Sequence, residues 1–101
     1  MATNLQFIEY CREQLRGLGS ITYKKMFGEY MLYVDDKPMF LVCDNTVYVK
    51  MHEPLKQLLE TGDKGYPYKG AKLHYIVDID DQQRLTAIID IALPLITIKK
   101  R

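Results

Sequence analysis

Residues 24–50 read KKMFGEYMLYVDDKPMFLVCDNTVYVK, three apolar, β-branched and aromatic runs parted by Asp35-Asp36 and Asp44-Asn45 and headed by Met26-Phe27-Gly28. Residues of this kind fit a pleated, mostly buried surface, and the Asp and Asn pairs between them are turn formers. The pattern predicts an antiparallel meander over Glu29 to Val34, Pro38 to Cys43 and Thr46 to Met51. It defines a fold without defining a reaction.

Upstream, Leu5, Ile8, Cys11 or Arg12, Leu15 and Leu18 recur at helical spacing, which predicts a first helix from about Asn4 to Arg16. Thr3 with Gln6 three residues on has the form of a capping box, and Gly17 and Gly19 end the helix. A short strand from Ile21 to Lys25 follows. Downstream, Glu53-Pro54 opens a second helix, since proline suits the first turn. Leu55, Leu58 and Leu59 form its apolar face and Gly62 stops it. Residues 63–71, DKGYPYKGA, read as a connection that touches the sheet edge through Tyr66 and Tyr68. A strand from Lys72 to Asp78 then places Leu73, Tyr75 and Val77 on one face and Lys72, His74 and Ile76 on the other. Asp80, with Gln83 three residues on, caps a last helix whose core face is Leu85, Ile88, Ile89, Ala92 and Ile96. Pro94 kinks or breaks that helix, leaving an irregular tail to Arg101.

The order is α-β(3-4)-α-β(1-2)-α, an α+β fold in which helices flank a mainly antiparallel sheet. With 101 residues, the expectation is a single domain over residues 1–101, able to bury about two thirds of the surface of the unfolded chain. A formal charge of +1 gives little long-range field to draw in a polyanion and disfavours direct nucleic-acid binding. The start, MATNLQFIEYCREQL, lacks a basic stretch followed by an apolar core, and no run approaches the ~20 apolar residues of a membrane span. A cytoplasmic protein without membrane attachment is therefore expected. Cys11 and Cys43 suit small buried hydrophobes in a reducing compartment.

Lys24-Lys25-Met26-Phe27-Gly28, followed by Tyr30, Leu32-Tyr33, a turn at Asp35, Met39-Phe40 and Val47-Tyr48-Val49-Lys50, resembles the N-terminal domain of the TfoX/Sxy family of bacterial competence regulators. Tyr66-Pro67-Tyr68 and His74-Tyr75 fall where that family places aromatic residues. The resemblance spans essentially the whole chain and implies a fold also seen in secretion-chaperone-like proteins. Family members carry a Gly-Gly-Tyr-Gly run where this chain has Gly28-Glu29-Tyr30-Met31, so Glu29 and Met31 fill part of the surface those glycines would leave. The usual Asp-Gly turn is Asp35-Asp36. Full-length competence regulators also carry a C-terminal domain, so this chain reads as a stand-alone domain that serves its own pathway.

The residues themselves offer little chemistry. His52 and His74, the two histidines, stand in no metal-ligand spacing with Cys, Asp or Glu. Cys43 has no local cation to activate its thiol. Asp35-Asp36 and Asp44-Asn45 stand where hairpins need turns and lack calcium-loop spacing. Phe27 and Gly28 read first as the anchor and hinge of a bend. The expected function is thus non-enzymatic, with no metal and no cofactor: a protein-interaction module for which the resemblance implies a role in competence and transcription regulation, and a transcription regulator as partner. Lys24, Lys25, Phe27, Gly28, Tyr30, Tyr48 and Lys50 are the candidate contact residues. Free strand edges make a homodimer the second expectation. Two alternatives stand beside it: a nucleic-acid accessory protein gripping through a Lys/Tyr surface that adds Lys56, Lys69, Lys72 and Tyr68, and a small-ligand carrier.

Overall fold

Two pairs of short polar residues fold the centre of the chain back on itself. In the computed structural model, which describes residues 3–26 and 29–96, Asp35 and Asp36 have φ of 52° and 67°, and Asp44 and Asn45 have φ of 51° and 56°. Positive φ at both central residues is the type I′ geometry, whose twist matches that of the flanking strands. Asp and Asn accept it because their side chains bond locally. Val34 then lies opposite Lys37, and Cys43 opposite Thr46. The turns join β2 (Glu29–Val34), β3 (Lys37–Cys43) and β4 (Thr46–Lys50) into the expected meander.

Within the meander the β2–β3 register shifts: Leu32 pairs with Phe40 but Tyr33 pairs with Pro38, leaving Met39 as an extra residue. Pro38 cannot donate to a ladder, and a bulge is where an internal strand tolerates one. Met39 and Phe40 are consequently both buried.

Four further segments complete the sheet and its cover. β1 (Ile21–Met26) pairs with β2, and β6 (His74–Val77) pairs with the far side of β4. The residues between 63 and 71 add a pairing beyond the expectation. The backbone of β5 (Lys64–Gly65) meets the sheet by pairing with β6, while Tyr66 and Tyr68 stay exposed and Pro67 is buried. All pairings are antiparallel, in the order β1-β2-β3-β4-β6-β5.

The helices are α1 (Leu5–Gln14), α2 (Lys56–Leu59), which continues a 3₁₀ turn at Glu53–Leu55 holding Pro54, and α3 (Gln82–Ala92). Two caps lie one residue beyond their expected places. Asn4, not Thr3, accepts from the Phe7 N–H at 2.8 Å, and Asp81, not Asp80, accepts from the Arg84 N–H at 3.0 Å. Thr3 and Asp80 are engaged elsewhere: Asp80 receives the Tyr10 hydroxyl of α1, and Gln82 Nε2 donates to the Gln14 carbonyl at 2.8 Å. Pro94 breaks α3, which ends at Ala92 and gives way to a 3₁₀ turn at Leu93–Leu95. The tail beyond residue 96 lies outside the described residues. No helix among them is long and apolar enough to cross a membrane.

Ile8 and Cys11 of α1, Leu15 at its C-cap, Leu59 of α2 and Leu85, Ile88, Ile89 and Ala92 of α3 share one buried cluster with Leu32, Phe40, Val42, Val47, Val49 and Tyr75. Helices of four to eleven residues do not persist alone in water. Burial, at about 1.5–3 kcal/mol for each large side chain, holds them on the sheet.

Thr3, the one buried polar residue among those described, ties the N-terminal segment to the hairpins. Its Oγ1 donates to Glu29 Oε1 at 2.8 Å and accepts from the Asn45 N–H at 3.1 Å. The same Glu29 oxygen accepts from the N–H of Asp44 at 3.1 Å and of Thr3 at 3.3 Å. Glu29 is therefore a structural clasp here. Replacing it by Ala is expected to cost about 1–3 kcal/mol in urea unfolding, because three donors lose a charged acceptor, with Glu29→Gln intermediate.

Burial pushes the Cys11 thiol from its ordinary 9.0 up to about 12, with Asp80 adding to the shift. It pushes Cys43 up to about 11, with Glu29 and Asp44 adding. The native state thus keeps protons that the unfolded thiols release from about pH 9 upward. Stability is full below that pH and falls as pH rises toward the native values. Unfolding free energy measured under reducing conditions should decline above pH 9, toward about 1.4 kcal/mol per pH unit for each thiol, and the Cys11→Ala variant should show a shallower decline.

Candidate docking site

Alternation along the strands leaves a second face. Residues between the core-facing positions point away from the helices, and register aligns Met31, Leu41, Tyr48 and Ile76 straight across β2, β3, β4 and β6. An antiparallel sheet covered on one side usually turns polar residues outward. Here the row is apolar at its centre: Met31, Leu41 and Ile76 are half-buried and Tyr48 is only 9% exposed.

Met31, Tyr33, Leu41 and Tyr48 floor a groove of about 1060 Å³. Tyr68 and Lys72, on the segment leading into β6, form one wall, and Leu95 and Ile96 beyond α3 form another. Lys37 fixes the second wall by donating Nζ–H to the Leu93 carbonyl at 3.1 Å. Of six large apolar side chains that stand exposed among the described residues, Met51, Tyr68 and Leu95 all border this groove. Tyr48 meets His74 edge to face, with ring centroids 6.3 Å apart. A Cβ at Gly65 would approach Ile76 Cδ1 to 3.2 Å and Tyr48 Cε1 to 3.5 Å, so β5 packs closely on these two side chains at this end.

The polar groups collect on the β4–β6 side. Lys50 lies opposite His74, and His74 donates Nδ1–H to the Lys72 carbonyl at 2.8 Å. Burial, reinforced by the Lys50 charge, pulls His52 below its ordinary value, so it is neutral at pH 7. Burial raises the Tyr48 phenol, with Cys43 and Asp44 adding.

Three of the seven candidate contact residues, Lys24, Tyr48 and Lys50, share this uncovered face. Lys25 is exposed but belongs to the opposite face, in register with Tyr30. Tyr30 is 6% exposed within the core and packs edge to face on Tyr23 at 5.5 Å. Phe27 and Gly28, and with them the expected bend, lie outside the described residues. Met31, Leu41, Met51 and Leu95 were absent from the expectation. The period-two alternation of the strands carried the signal for the first two, since Met31 alternates with the core residues Tyr30 and Leu32. Cys43 is buried, and no group of three His, Cys, Asp or Glu side chains able to hold a metal occurs among the described residues.

This is a small α+β domain with a six-stranded antiparallel sheet, helices on one side and a grooved apolar face on the other. The TfoX N-terminal domain family model matches residues 13–93, and the chain belongs to that family. It is also 33% identical over 78 residues to an "uncharacterized 12.7 kDa protein in trpE 5′ region" of Spirochaeta aurantia, covering 77% of this chain and 68% of the relative. Residues 13–93, matched by the family model, include the whole sheet and the floor of the groove.

Neighbouring residues of β2 should respond oppositely to truncation because they serve opposite faces. Met31→Ser is expected to change stability by no more than about 1 kcal/mol, whereas Leu32→Ala should cost about 2–5 kcal/mol, both read from urea unfolding.

Proposed function

We propose that the chain is a non-enzymatic interaction module, a regulatory accessory domain that docks another protein on the uncovered face of its sheet. The observation that carries this reading is the groove over Met31, Leu41 and Tyr48 with Met51, Tyr68 and Leu95 exposed along its border. Apolar side chains scattered singly are ordinary on any surface, whereas a contiguous patch rimmed by polar groups marks an interaction site. Membership of the TfoX N-terminal family supports a transcription regulator as the partner and the cytoplasm as the place of meeting. The thiols of Cys11 and Cys43, buried and protonated at neutral pH, play no nucleophilic part in this proposal. A second copy on the free edge of β1 is the alternative protein partner.

One observation favours a second reading: Lys50 and Lys72 line the groove with Tyr48 and Tyr68, and Lys24 stands at its margin beside Tyr33, a mix of cations and rings that suits single-stranded nucleic acid. A photo-crosslinking amino acid placed at Leu41, with a control at Gln83 on α3, separates the two in cells. A protein adduct that forms from position 41, fails to form from position 83 and survives nuclease is the expected outcome. Adducts that disappear with nuclease would shift the assignment to nucleic acid, and equal adducts from both positions, or none from position 41, would remove the docking face.

A further inference from the structure

Resting on that docking reading, we infer that the groove receives an acidic amphipathic helix of the partner, with apolar side chains on Met31, Leu41 and Tyr48 and carboxylates at Lys50 and Lys72. At about 1060 Å³ the groove lies at the top of the roughly 300–1,000 Å³ range of small-molecule clefts and has room for a helical segment. A helix about 10 Å across fills that volume with ~9 residues. The spacing also suits a helix: the three floor residues sit on adjacent strands, ~4.8 Å apart from one strand to the next, close to the ~5.4 Å advance of a helical turn. The opposite face of the same sheet is already covered by α1 and α3.

Charge selects the helix. Lys50 and Lys72 are exposed on the β4–β6 side of the groove, and neither has an ion-pair partner among the described residues. Among the described residues the one carboxylate lining the groove, Asp36, sits on the other side, near Tyr33 and Lys24. The chain's own continuation past Ile96 carries Lys99, Lys100 and Arg101, which would bring cations to cations. A partner with carboxylates flanking an apolar stripe answers both the floor and the rim.

The test uses two fluorescein-labelled synthetic 16-residue peptides, each with Leu at i, i+3, i+4 and i+7, one filled with Glu and the other with Lys, titrated by anisotropy. The Glu peptide should bind the wild-type chain at least tenfold more tightly than the Lys peptide. Lys50→Glu/Lys72→Glu should reverse that order, and Leu41→Asp should abolish binding of both while circular dichroism confirms that each variant is folded. Equal binding of both peptides, binding unchanged by the double variant or by Leu41→Asp, self-association through the groove, or no binding would each overturn the inference. Should the peptides fail while the crosslinker at Leu41 still captures a nuclease-resistant protein, the partner chemistry is wrong and the docking face stands; if both fail, both readings fall.

Discussion

The pairing of β2 with β3 decides what every other part of the molecule can do. It is held by the Asp35-Asp36 turn at one end and adjusted by the Met39 bulge within. Side chains on a strand alternate between faces, so a slip of one residue would carry Leu32 to the outside and Met31 beneath the helices. The turn prevents this by closing the hairpin in a single register, and the bulge turns both Met39 and Phe40 inward beside Pro38. β1 and β4 add to this pair, and the helices have a surface to cover only because the pair presents one.

Glu29 joins two parts of the chain that lie far apart in sequence. Its carboxylate gathers the N-terminal segment and the second hairpin turn at one oxygen. The start of α1 is thereby tied to the far side of the meander, which helps a helix too short for independence to stay in place. Met31, two residues on, has the opposite role. It projects from the uncovered face and enlarges the apolar floor of the groove.

That floor is where fold and proposed function meet. A core needs one apolar face on this sheet, and the helices supply its cover. The second apolar row is surplus to the core, and the segments around it leave it open. The Lys37 contact to Leu93 and the packing of Gly65 against Ile76 and Tyr48 shape its borders. The docking proposal follows from this division of labour between two faces of one sheet.

The sequence by itself determined the element order, the meander with its two Asp/Asn turns, the burial of both cysteines and the break at Pro94, because each follows from local propensity, periodicity or backbone geometry. The family was legible too, through the run from Lys24 to Lys50. Tertiary structure alone decided which cap serves each helix, since Thr3 and Asp80 are recruited by distant partners Glu29 and Tyr10. It alone showed that the backbone of Lys64-Gly65 pairs at the sheet edge, and that Tyr30 belongs to the core while Tyr48 and Lys50 belong to the opposite face. The groove is likewise tertiary: Met31, Met51, Tyr68 and Leu95 come from four separate segments, brought around one groove by strand pairing and by the contact of Lys37 with the Leu93 carbonyl.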